Sequence, residues 1–115
     1  MTHRPIRPLL LGLALGVLGG CNGADEPAGL SELAQKGELV YQNVCIACHH
    51  GNPALDGSVG PANAGASLAL LEAKILRSEY PEGYTPKRGS AAMPRFEYLK
   101  DQIPALHAYL NEVPQ

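Results

Sequence analysis

Five consecutive residues, Cys45-Ile46-Ala47-Cys48-His49, constrain this chain more than any other feature. Two cysteines separated by two residues, with a histidine directly after them, supply what covalent haem attachment needs. Each thiol adds its S–H across one vinyl group, and the following imidazole is carried beneath the iron. The same spacing also occurs in redox dithiols, in half of a zinc site and in local disulfides. Zinc would need two more good ligands, and outside the motif the exported chain offers only Cys21, His50 and His107. No strand-rich pattern flanks the pair, as a thioredoxin-like motif would require. Haem attachment therefore leads these readings.

The first 20 residues read as an export signal. His3, Arg4 and Arg7 form a positive head, and Leu9 to Leu18 is an apolar stretch shorter than the ~20 residues a membrane-spanning helix needs. Leu18-Gly19-Gly20-Cys21 is a small-residue cleavage site, and its ending resembles the lipobox of bacterial lipoproteins. That resemblance implies a diacylglycerol on Cys21 and further acylation of the new amino terminus. Several acyl chains anchor a protein stably where one would be marginal. Asn22, rather than an aspartate, follows Cys21, which favours the outer membrane by analogy with Gram-negative lipoproteins. The expected organisation is a signal over 1–20, a lipidated Gly/Ala/Pro-rich tether over 21–29 and one domain over 30–115.

Cysteine arithmetic agrees. A lipid on Cys21 and thioethers at Cys45 and Cys48 consume all three cysteines, leaving no odd thiol in an exported protein. Removing residues 1–20 from 115 leaves 95, enough for one small domain with little apolar core of its own; a buried haem would supply the missing surface. Loss of Arg4 and Arg7 leaves seven basic residues against eleven acidic ones, a net charge of −4. Such a balance excludes a nucleic-acid binder.

The periodicity predicts helices and an all-α fold. One opens at Ser31 as N-cap and carries Leu30, Leu33, Gly37, Val40, Tyr41 and Val44 at three- and four-residue steps. A glycine inside a helix is unfavourable by about 1 kcal/mol relative to alanine, so Gly37 predicts another helix passing closely there. At the far end Leu99, Ile103, Leu106, Tyr109 and Leu110 form a matching stripe, with Asp101 as N-cap and Pro104 in the first turn. These two helices should cross. Between them a Gly/Pro/Asn-rich loop, 51–66, leads to a helix over 67–79 carrying Leu68, Leu71, Ile75 and Leu76 and stopped by Tyr80-Pro81. The loop from Pro81 to Ser90 then reaches Ala92-Met93-Pro94.

Taken in order, these elements resemble the class I cytochrome c family over nearly all of Leu30 to Val113. The matching features are the Gly37 and Tyr41 helix before the cysteine motif, Gly60-Pro61, Met93-Pro94, and Leu106-His107-Ala108-Tyr109-Leu110. The chain departs from the commoner pattern at Pro104 and in its long Pro81 to Ser90 loop. The resemblance implies a cytochrome c-like fold around one covalent haem c, with His49 as proximal ligand and Met93 as distal ligand. It also implies that the Pro61 carbonyl accepts from the other ring nitrogen of His49, fixing the tautomer and raising the basicity of the imidazole.

Met93 also stands out on its own, as the only methionine left once Met1 is removed and as a thioether set before a rigid proline. Of the competing histidines, His50 adjoins the proximal ligand, and His107 lies between the apolar positions of the last helix, where solvent is expected. With both axial positions filled by protein, no open iron site remains, and one-electron transfer is the function implied. The expected partners are exported dehydrogenases, respiratory complexes or a terminal oxidase, met by a tethered periplasmic protein that is not itself an enzyme. Lys87, Arg88 and Arg95 bracket Met93 and predict a local positive patch for docking. A haem-based gas sensor or haem enzyme, a cytochrome subunit of a larger oxidoreductase, and a haem-free thiol oxidoreductase are the competing functions.

Overall fold

The computed structural model describes residues 29–89 and 93–115. The export signal, Cys21 and the tether up to residue 28 lie outside these described residues, and so does the end of the loop at 90–92. Three α-helices form: α1 (Glu32–Val44), α2 (Leu68–Arg77) and α3 (Ile103–Glu112). Short 3-10 segments, Cys45–Ala47 and Glu97–Gln102, extend α1 and lead into α3. Among the described residues there is no strand, and no helix is long and apolar enough to cross a membrane.

Ser31 caps α1 by accepting the Ala34 N–H at 3.1 Å, while its own N–H and hydroxyl donate to the Glu112 carboxylate at the end of α3, each at 2.8 Å. The two terminal helices are thus fastened where one starts and the other stops. Their faces meet through small residues. A Cβ on Gly37 would overlap the Ala105 carbonyl, so only glycine lets the backbones approach this closely. Tyr41 and Tyr109 pack beside that contact, ring centroids 5.5 Å apart and tilted by 53°.

That close approach corrects part of the expected stripe. Ala34, Gly37 and Tyr41 are the buried positions of α1, whereas Leu33 is 46% exposed. The line of contact runs through the small side chains and displaces Leu33 to the flank. On α2, Leu71, Ala73, Lys74 and Ile75 are buried and Leu68, in the first turn, is 43% exposed.

The ends of α2 and α3 also differ from expectation. Ser67 caps α2 through the Leu70 N–H (3.2 Å), but the helix stops at Arg77, ahead of Tyr80-Pro81. Ser78 adopts a left-handed conformation (φ 58°), and the Glu79 N–H turns back to the Ala73 carbonyl at 3.1 Å. Asp101 does not cap α3. It lies inside the preceding 3-10 segment with Leu99, and Gln102 occupies the cap position without a side-chain bond. The 3-10 carbonyls make such a cap unnecessary, since the Ile103 N–H already donates to Lys100, and Pro104 in the first turn has no N–H to offer.

Candidate haem site

The motif sits where α1 tightens. Cys48 and His49 both return their N–H groups to the Cys45 carbonyl, at 3.2 and 2.9 Å, which winds the five residues into one short turn. Cys45, Cys48 and His49 line the same cleft, of about 580 Å³, as Pro61 and Met93. Leu71 and Ile75 of α2 and Leu106 and Leu110 of α3 line it as well, so its wall is continuous with the core.

His49 is held from one side by a loop. Its Nδ1 lies 2.8 Å from the Pro61 carbonyl, and since a carbonyl only accepts, Nδ1 carries the proton and Nε2 keeps its lone pair. Gly60 makes this possible, because a Cβ there would overlap the imidazole ring. The loop is drawn in further by the Cys48 carbonyl, which accepts from Val59 (3.2 Å) and Gly60 (2.8 Å).

Met93 is half-buried and packs against the core. Its carbonyl accepts the Ser78 hydroxyl at 2.6 Å, and three residues later the Phe96 N–H donates to Ile75 at 2.7 Å. The left-handed Ser78 is therefore both the end of α2 and the anchor of the methionine segment. A glycine would adopt the same backbone without the hydroxyl.

Two observations bear on what the cleft can hold. Lys74 is 9% exposed, and its Nζ has no hydrogen-bond partner, only the Tyr80 ring 4.0 Å away. A buried cationic group without an anionic or polar partner is unfavourable, so the cleft fits an occupant with acidic groups at that wall, as haem has in its propionates. Burial also pushes the Cys45 thiol up to about 11. Redox dithiols work through a lowered pKa, so the Cys45 thiol lacks that activation. Among the described residues, no three His, Cys, Asp or Glu side chains converge as a zinc site would require.

The other histidines stand apart. His50 is exposed, its Nδ1 accepting the Asn52 N–H at 2.9 Å, and His107 is half-buried; neither lines the cleft. The three residues of the expected positive patch also make contacts within the protein. Lys87 donates to the Ala62 carbonyl (2.8 Å), Arg88 to the Val59 and Gly57 carbonyls (2.8 and 3.0 Å), and Arg95 pairs with Glu97 at 3.7 Å.

The family model described as Cytochrome c matches residues 34–114. The chain belongs to the cytochrome c family. No curated protein and no solved structure matches it. As a cytochrome c, it is a haem-based electron-transfer protein whose family cofactor is covalent haem c, and the Cys45 and Cys48 pair fits the attachment motif.

Sequence reasoning missed Lys74 and Ser78 as parts of this site, and it placed Lys87 and Arg88 beside Met93 without their bonds to the 56–62 loop. Lys74 left a signal, since it falls three residues after Leu71 and beside Ile75 on the apolar face of α2. The other three act through backbone carbonyls, which no residue pattern announces.

Proposed function

We propose that this cytochrome c is an exported one-electron carrier in which Cys45 and Cys48 hold the haem by thioethers and His49 and Met93 are its axial ligands. The observation that supports this most is the hydrogen bond from His49 Nδ1 to Pro61, which leaves the Nε2 lone pair free in the cleft that Met93 also lines. When bound, haem c supplies a couple between ferric and ferrous iron. Pro61 keeps the imidazole in one tautomer, and Ser78 holds the Met93 backbone, so both ligands would keep their places while an electron enters and leaves. With haem bound, the apolar wall from α2 and α3 would exclude water, and Lys74 would offer the propionates a positive charge. Neither ligand leaves a position for substrate, which favours electron transfer over catalysis.

The domain extends over 30–115, with residues 1–20 as signal and 21–29 as a tether lipidated at Cys21. On that reading the carrier works at a membrane surface of the periplasm, the outer membrane by the Asn22 analogy. Its partners would be a dehydrogenase, a respiratory complex or a terminal oxidase, met as a free carrier or within an oxidoreductase assembly. Met93→Ala tests the ligand set. The reduction potential should fall by on the order of 0.1 V within the roughly 0.8 V that axial ligation spans. The reduced variant should bind carbon monoxide at neutral pH, where the wild type does not. If the wild type already binds it and the potential does not move, Met93 is not a ligand and a gas sensor or haem enzyme becomes the better reading.

A further inference from the structure

Arg88 lies on the stretch of chain that leads to Met93, yet its guanidinium reaches back to the other side of the cleft. Nη1 donates to the Val59 carbonyl at 2.8 Å and Nη2 to the Gly57 carbonyl at 3.0 Å, with the Asp56 carboxylate 3.9 Å from Nη2. The planar fork of arginine is suited to bridging two acceptors at fixed spacing, which a lysine cannot do. Asp56 in turn accepts the Ala62 N–H at 2.7 Å, and the Gly57 N–H closes onto the Gly60 carbonyl at 2.9 Å. Every one of these bonds falls on the loop 56–62, and that loop carries the Pro61 carbonyl that receives the His49 proton. The Arg88 side chain is 32% exposed, and both terminal nitrogens of its guanidinium are committed to carbonyls of this loop.

We infer that Arg88 is a positioning residue for the proximal ligand: by clamping Gly57 and Val59 it fixes the distance between Pro61 and His49 and so sets the basicity of the imidazole. The inference rests on the reading of His49 as an axial ligand. Arg88 touches neither ligand and acts only through the loop. A loosened clamp should let the Pro61 carbonyl drift from Nδ1, weaken the donation of electron density to the ring, and favour ferrous over ferric iron.

The test uses the haem-loaded full chain as wild type, Arg88→Lys and Arg88→Ala. The exchange of the His49 Nδ1 proton with solvent is followed by NMR in the reduced protein, and the reduction potential is measured alongside. Exchange should be roughly tenfold faster in Arg88→Ala, the factor that weakening one hydrogen bond is worth, with Arg88→Lys between the two. In Arg88→Lys, which keeps the positive charge, the potential should rise, separating the hydrogen bond from simple loss of charge. If Arg88→Ala does not accumulate as folded protein, Arg88→Lys decides alone. Exchange at the wild-type rate in the variants overturns the role of Arg88. A wild type without axial imidazole in its spectrum overturns the ligand reading as well, and is seen before any variant is compared.

Discussion

The two faces of α3 live in different surroundings. Toward α1, the chain closes on itself: Gly37 meets the Ala105 backbone, Tyr41 packs on Tyr109, and Ser31 is tied to Glu112. Toward α2, Leu106 and Leu110 look into a cleft lined by thiols, an imidazole and a cation with no hydrogen-bond partner. The first face is finished by side chains of the protein. The second has hydrogen bonds that hold its loops in place but too little apolar contact across the gap, and this is where a cofactor becomes part of the core.

The strongest way to break that contrast is to remove the attachment. Cys45→Ala with Cys48→Ala should abolish covalent haem, and the cleft half should lose its order with it. In a domain this small, the α1 and α3 contact alone should not sustain a cooperative transition, because a ligand that binds only the folded state supplies much of its stability. Thermal unfolding followed by circular dichroism would reveal this as a broad, non-cooperative melt. A sharp haem-free transition would mean that both halves are self-sufficient.

Gly37→Ala strikes the other half. The added methyl has backbone in front of it, not a side chain that can turn aside, so α1 and α3 must separate. Overpacking of this kind should destabilise the holoprotein by about 3 kcal/mol. Gly29→Ala, where a Cβ meets nothing within 4 Å, should change stability by less than about 0.5 kcal/mol. Denaturant midpoints of the two variants measure the difference. Equal, small effects would remove the claim that the crossing depends on glycine.

The same contrast decides what could be read from the chain beforehand. The α1 and α3 contact was legible because periodicity and an interior glycine both report on helix packing, and Gly37, Tyr41 and Tyr109 lie where those signals put them. Leu33 failed because periodicity gives the face of a helix without its exact centre, and the small residues moved that centre toward Ala34. In the cleft half, the motif residues were legible by their chemistry. Their supports were not: Ser78 ends α2 by a left-handed turn that nothing in its residue type requires, and Arg88 serves the 56–62 loop across 29 and 31 residues of sequence. Charged residues in a loop look the same whether they face solvent or cap carbonyls. Hence Lys87 and Arg88 were legible as charges near Met93 but not as donors to the carbonyls of the 56–62 loop.

Tyr41 belongs to both halves, and its titration gives a finer test of how closed their boundary is. It is 1% exposed, pairs with Tyr109 on one side and lines the cleft on the other, and its hydroxyl donates to the His50 carbonyl at 2.7 Å. Burial pushes its phenol from 10.0 up to about 12, and burial moves Tyr109 in the same direction. A pKa raised on folding means that the unfolded chain loses its proton first. Stability is therefore unaffected by Tyr41 below about pH 10, falls as pH rises toward about 12, and levels off beyond. Each tenfold difference in proton affinity between the folded and unfolded chain is worth about 1.4 kcal/mol, so the loss across the window is on the order of 3 kcal/mol. Tyr41→Phe should remove that part of the alkaline slope while lowering neutral-pH stability by about 1 kcal/mol, since the His50 carbonyl loses its donor. Tyr109 should leave a remaining slope that the double replacement by phenylalanine removes. Denaturant unfolding of the holoprotein on either side of the window measures both effects. An unchanged slope in Tyr41→Phe would mean that water reaches the phenol, and that the boundary between the self-packed half and the haem half is open.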